Sequence, residues 1–245
     1  MEIMNGKLVS QLISESLKLK TADLIKNNKK QPHLAAVLVG TNGASETYVA
    51  SKIKHCEEIG FTSTLIRLQE DVTELALIEA VSALNNNADV DGILVQLPLP
   101  AHINEQKIIN LIDPEKDVDG FSPINTGRMV LGMDAYIPAT PYGIMLLLEH
   151  YKIETSGKNA VVIGRSNIVG RPMSILLSQA GPFGNCTVTV CHSKTKNLSA
   201  ICREADIIVA ALGKPGFLTG DMVKDGAVII DVGITRVSDP SKKSG

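Results

Sequence analysis

The sequence has no tryptophan and only four phenylalanines in 245 residues, so its cores must be built from Ile, Leu, Val and Ala rather than from aromatic rings. Cysteine is scarce: Cys56, Cys186, Cys191 and Cys202 contain no C-x-x-C pair and follow no disulfide framework, which favours reduced thiols and a cytoplasmic setting. Neither charge is in excess. With 24 basic and 26 acidic residues the formal net charge is -2, which gives no electrostatic basis for nucleic acid or an anionic membrane as a main partner. The amino end, MEIMNGKLVSQLISESLKLK, interleaves polar residues throughout; it offers neither the apolar core of a signal peptide nor a membrane span, and it reads as an amphipathic helix. No repeat of short period and no low-complexity tract is visible, which argues against a solenoid or a disordered scaffold.

What is present is an alternation of short apolar runs with segments of helical period, in a chain that is 44% hydrophobic and long enough for one large or two small cores. The pattern is α/β. Strands are expected at 34–40, 63–68 and 92–99, with helices near 44–59 and 73–87, and again at 160–164, 187–191, 206–212 and 227–234. Each half therefore reads as its own sheet with helices on its faces. Between them, YIPATPYGIMLLLEHYKIETSGKN carries a proline-marked turn and a helix from about Tyr142, which divides the chain into domains 1–140 and 141–245.

The second half opens with AVVIGRSNIVGRPMSILLSQ, which has the outline of a dinucleotide-binding turn without its middle glycine. Gly164 ends an apolar strand, and Gly170 and Pro172 open a helix whose Met173, Leu176 and Leu177 face one way. Such a turn gathers backbone N–H groups and the positive end of a helix dipole, where a pyrophosphate is the natural occupant. A glycine-rich turn in a packed α/β core would look similar. The following strand ends in TVTVCHSKTKN: His192, Ser193, Lys194 and Lys196, and no carboxylate to take the ribose hydroxyls of NAD. With Arg165 directly after the first glycine, the donors favour the 2'-phosphate of NADP, although solvated charges in a loop would also place basic residues there.

In the first half, GASETYVASKIKHCEEIG places Val49, Ile53 and Cys56 on an inward stripe, with Tyr48 and Lys52 one turn apart on a neighbouring face. A partly desolvated site favours the neutral form of an amine, which suits it to proton transfer, and a phenol can orient the proton. A half-buried tyrosine beside a surface lysine fits the same spacing. Short-chain dehydrogenases also use Y-x-x-x-K, but there the cofactor loop precedes the pair, so that family is excluded by order. Gln96 ends an apolar strand just before Pro98 and Pro100, where strand ends line ligand crevices, or else caps loop backbone. Asp117 and Asp119 stand in a turn without a nearby His or Cys, which points away from a metal and leaves turn formation or ligand binding.

Together, TYVASKIKHCEEIG, DGILVQLPLP, DPEKDVDGF, PATPYGI, VVIGRSNIVGRPM, TVTVCHSKT and GAVIIDVGI resemble the bifunctional methylenetetrahydrofolate dehydrogenase/cyclohydrolase family, in order and across nearly the whole chain. The G-x-S-x-x-x-G-x-P loop is that family's form of the nucleotide turn. The resemblance implies an amino-terminal catalytic domain, a Rossmann-type NADP domain, a folate site and a cytoplasmic homodimer joined through the NADP domains. It implies oxidation of 5,10-methylenetetrahydrofolate with NADP, then hydrolysis to 10-formyltetrahydrofolate, within the one-carbon metabolism that serves purine, histidine and methionine biosynthesis. Carried over by position, Lys52 is the catalytic lysine, Tyr48 orients the pterin, Gln96 tunes the lysine and Asp119 binds the pterin; Gly164, Arg165, Ser166, Gly170, Ser193 and Ile234 fall at nucleotide-binding positions. Alternatives are another two-domain NADP oxidoreductase, similar to shikimate dehydrogenase, and a non-catalytic folate- or nucleotide-binding module. Family members continue beyond the IIDVGI strand, whereas this chain stops at TRVSDPSKKSG, read as a surface loop; a fragment of a longer product is the favoured expectation.

Overall fold

A computed structural model describes residues 2–234, so the TRVSDPSKKSG stretch lies outside the described residues. The chain divides into two compact units between Ala139 and Thr140.

In the first unit, β1 (His33–Val39), β2 (Thr62–Leu68) and β3 (Gly92–Val95) form a parallel sheet in the order β2-β1-β3. Helix α1 (Gly6–Lys26) precedes it, α2 (Gly43–Ile59) and α3 (Glu74–Asn86) connect its strands, and α4 (Glu105–Leu111) and α5 (Pro123–Val130) follow. The two-residue period of β1 sorts its side chains between two cores. Ala35, Val37 and Val39 pack with Leu77, Val81, Ile93 and Ile108, while Ala36 and Leu38 pack with Val49 and Leu94. Each fully buried Leu or Ile is worth about 1.5–3 kcal/mol over an exposed one.

Strand β3 ends at Val95, short of the 92–99 run expected from its apolar residues. Gln96 N still donates to Val37 O at 2.9 Å, but Pro98 and Pro100 have no N–H to continue the ladder. The other discrepancy is the pair of helices α4 and α5, only seven and eight residues long and too short to show a period. Their signal is in the caps: Asn104 accepts from Lys107 N, and Ser122 accepts from Asn125 N with Pro123 next in line. Helix α1 forms as expected but buries only Val9 and Thr21, leaving Leu8, Leu12 and Leu19 exposed.

The second unit begins one residue into α6 (Ala139–His150) and continues through β4 (Asn159–Ile163), α7 (Gly170–Ser178), β5 (Thr187–Cys191), α8 (Leu198–Glu204), β6 (Ile207–Ala210) and β7 (Val228–Asp231). Its parallel sheet runs β5-β4-β6-β7. Met173, Leu176 and Leu177 are buried as their spacing required. All four cysteines are buried and unpaired, and burial pushes each thiol up. In both units the first strand has the second on one side and the third on the other. The reversal of direction opens a crevice at the carboxyl ends of the first and third strands.

Candidate active site

Helix α2 begins on Asn42, whose Oδ1 accepts from Ala44 N at 3.0 Å and Ser45 N at 3.2 Å. Burial of Val49 and Cys56 fixes the roll of the helix, leaving Tyr48 exposed and Lys52 half-exposed one turn later. Lys52 Nζ lies 3.7 Å from Asp119 Oδ1, and the Asp119 side chain is only 18% exposed. Two residues far apart in sequence are thus brought together. Gln96 occupies the crevice end of β3; its Nε2 donates to Leu97 O at 2.8 Å, while its Oε1 is buried without a protein partner. Because Leu97 O can only accept, the amide orientation is fixed and an acceptor is left for a ligand N–H or O–H. No hydrogen bond among the described residues joins Gln96 or Tyr48 to Lys52.

Asp119 owes its place to the turn around it. Ile93 N donates to Lys116 O at 2.7 Å, seating this segment beside β3. Gly92 allows the approach, since a Cβ there would stand 2.5 Å from Val118 Cγ1. Asp117 is buried and accepts from Ser122 N at 2.8 Å, Phe121 N at 3.3 Å and Asn125 Nδ2 at 3.0 Å, so it is the turn-forming aspartate. Gly120 adopts φ +67°, and a Cβ on it would lie 2.6 Å from Tyr136 O. No group of three or more His, Cys, Asp or Glu suited to a metal occurs among the described residues. The residue that sequence reasoning missed is Asn125; a capping-distance relation to Ser122 was its only signal.

Burial pushes the Asp119 carboxyl above its ordinary value; Lys52 counters this, and neighbouring Asp117 reinforces it. A raised folded-state pKa penalises folding fully above that pKa, and the penalty disappears as pH falls below the unfolded value, about 3.9. Asp119→Asn is therefore expected to raise the melting temperature at pH 7 by on the order of a few degrees and to give no gain near pH 3. Thermal melts across this range check the sign.

In the second unit, Gly164 adopts φ +131° at the end of β4, and a Cβ there would lie 2.7 Å from Ala211 O. A Cβ on Gly170 would overlap Gly164 O. The loop between them differs in one respect from the sequence reading. Two of the N–H groups expected to be free are taken by Ser166, whose Oγ accepts from Val169 N at 3.2 Å and Gly170 N at 3.3 Å. Those of Arg165, Ser166, Asn167 and Ile168 donate to no acceptor among the described residues. After β5, His192 N donates to Thr195 Oγ1 at 2.9 Å and Lys194 N to His192 Nδ1 at 3.1 Å, a turn that leaves Ser193 and Lys194 exposed. Ile234, 75% exposed, follows β7. Glycines without room for a side chain, open N–H groups and no carboxylate after β5 fit a phosphorylated dinucleotide.

The parallel sheets, with a lysine–aspartate pair in one unit and a nucleotide-type turn in the other, define a dinucleotide-dependent α/β enzyme. The chain belongs to the tetrahydrofolate dehydrogenase/cyclohydrolase family: that family's catalytic domain matches residues 4–119 and its NAD(P)-binding domain residues 138–245. It is similar to the bifunctional protein FolD of Bacteroides fragilis, 57% identical over 245 residues that span all of this chain and 84% of the relative. Among solved structures, the bifunctional FolD enzyme of Campylobacter jejuni is 47% identical with TM-score 0.92, covering 97% of this chain and 83% of its own. The Trypanosoma brucei dehydrogenase-cyclohydrolase, complexed with NADP and an inhibitor, is 36% identical with TM-score 0.93, covering 100% and 82%. Identity sustained across the whole chain favours this family over the shikimate-dehydrogenase-like alternative.

Proposed function

We propose that the protein oxidises 5,10-methylenetetrahydrofolate to 5,10-methenyltetrahydrofolate with NADP and hydrolyses the product to 10-formyltetrahydrofolate. The observation that carries this reading is the 3.7 Å approach of Lys52 Nζ to the mostly buried Asp119. Asp119 binds the pterin through its carboxyl group, the exposed ring of Tyr48 provides a flat surface against which the pterin and aminobenzoate rest, and the buried Gln96 Oε1 supplies an unpaired acceptor at the end of β3. In the hydrolytic step water adds to the cationic amidine carbon and loses one proton to solvent; the remaining hydroxyl proton leaves as the C=O bond forms, and the ring nitrogen gains a proton as its bond to that carbon breaks, so one proton is released per turnover. Lys52 manages those protons.

NADP, when bound, accepts the hydride of the first step. Gly164 and Gly170 let the backbone approach its pyrophosphate, with the open N–H groups of Arg165 and Ser166 as donors; Ser193 and Arg165 serve the 2'-phosphate, and Ile234 offers an apolar contact. Arg165→Ala is expected to weaken NADP by about 10- to 100-fold, the worth of a charge-assisted hydrogen bond, and to leave NAD affinity nearly unchanged. Equal losses for both nucleotides in a fluorescence titration would rule out the 2'-phosphate role.

Strand β5 is an edge of its sheet with Thr187, Thr189 and Val190 exposed, which supports a homodimer paired along this edge. The buried, unpaired thiols agree with a cytoplasmic setting. The direct test follows NADPH and methenyl absorbance after the protein is mixed with NADP and 5,10-methylenetetrahydrofolate. Appearance of both supports the proposal, and ligand binding without turnover would instead mark a non-catalytic module.

A further inference from the structure

We infer that Asn125 is a positioning residue for the folate site, clamping the turn that presents Asp119 to Lys52. The inference rests on the reading of Asp119 as a folate-binding group. Asn125 is 1% exposed, lies on α5 and makes no hydrogen bond to Lys52, Tyr48, Gln96 or Asp119 among the described residues. Its Nδ2 donates to Pro114 O at 2.9 Å and to Asp117 Oδ2 at 3.0 Å, so one amide ties the residue before the turn to the carboxylate inside it. Asp117 in turn receives Phe121 N and Ser122 N, and Gly120 N donates to Asp117 O at 3.0 Å. Ser122 Oγ closes the circuit by accepting Asn125 N at 3.1 Å. Within this closed set of bonds Asp119 is the carboxylate left over, directed to Lys52.

The chemistry of the pair is specific. Asp117 is buried, and its carboxylate is held by N–H donors, of which Asn125 supplies the only side-chain one among the described residues. The Asn125 Oδ1 is itself buried without a protein partner, so the amide is held in place by what it donates. An alanine removes the tie without adding charge. An aspartate sets a second carboxylate against Asp117, and two buried carboxylates in contact cannot both ionise. Either change frees the turn, and displacement of a binding group by about 1 Å is enough to cost on the order of 100-fold.

The test measures tetrahydrofolate affinity by calorimetry at a temperature where circular dichroism shows each variant folded. Asn125→Ala is expected to weaken tetrahydrofolate by on the order of 10- to 100-fold, to raise KM more than it lowers kcat, and to leave NADP affinity unchanged. In an Asp119→Asn background the same substitution is expected to cost less than about 2-fold, because a residue acting through Asp119 has nothing further to lose. Should Asn125→Ala fail to fold, Asn125→Ser takes its place: one hydroxyl has a single proton to donate and cannot tie both Pro114 O and Asp117 Oδ2, so the same loss is expected. Full affinity in the folded variant, or an undiminished loss in the Asp119→Asn background, overturns the inference. If Asp119→Asn itself binds tetrahydrofolate normally, the reading of the folate site fails first and this inference with it.

Discussion

Lys52→Met is expected to abolish hydrolysis of the methenyl substrate while leaving NADP affinity unchanged. Methionine keeps an unbranched apolar stem of similar length, so packing of α2 around Val49 and Cys56 is preserved and only the ammonium is lost. Two consequences follow at the site. In the proposed mechanism the proton carrier for water addition disappears, which for a positioned acid or base costs typically 10²–10⁴-fold. Asp119 also loses the charge 3.7 Å away that offsets its burial, so its carboxyl is held further above its ordinary value. The proposed nucleotide turn follows β4 in the other unit, and its residues are unchanged by the substitution. The decisive measurement is the decay of methenyl absorbance against the uncatalysed rate in the same buffer; hydrolysis by the variant above that rate would remove Lys52 from the proposed chemistry.

The same residues show what a linear sequence can disclose. The apolar run of β1 was legible because burial on both faces leaves no polar position, β1 delivering Ala35, Val37 and Val39 to one core and Ala36 and Leu38 to the other, and the stripe on α2 because burial on one side imposes a helical repeat. The nucleotide turn was legible because glycine is required wherever a Cβ would meet backbone, as at Gly164 and Gly170. What could not be read was which polar atoms satisfy one another. Asp117 and Asp119 are equivalent in the string DVDG, yet one is sealed inside the turn and the other faces Lys52, a distinction made by Asn125, Gly120 and the seating of Lys116 beside β3. Ser166 is similar: its position was read as a nucleotide contact, while its Oγ accepts two backbone N–H groups of its own loop. Helices α4 and α5 escaped detection because a helix of two turns has too few apolar residues to show a period.

Gly170→Ala is the second substitution with a large expected effect, and its contrast with Gly127→Ala isolates the cause. A methyl on Gly170 would overlap Gly164 O and stand 2.7 Å from Arg165 N, backbone on both counts, so no side chain can swing aside. The loop must open, separating the start of α7 from the end of β4 and dispersing the N–H groups of Arg165 to Ile168. Nucleotide affinity is expected to fall by more than about 100-fold, on the scale of a 1 Å displacement at a binding site, and the melting temperature is expected to drop as well. At Gly127, inside α5, a Cβ meets nothing within 4 Å. There the helix propensity of alanine governs, and stability is expected to rise by about 0.5–1 kcal/mol with NADP affinity unchanged. Calorimetric titration with NADP and thermal melting of both variants test the pair together. Normal NADP affinity in Gly170→Ala would show that the loop closure seen around Gly164 is not what holds the cofactor, and the nucleotide would then have to be bound through the turn after β5 and its exposed Ser193 and Lys194 instead.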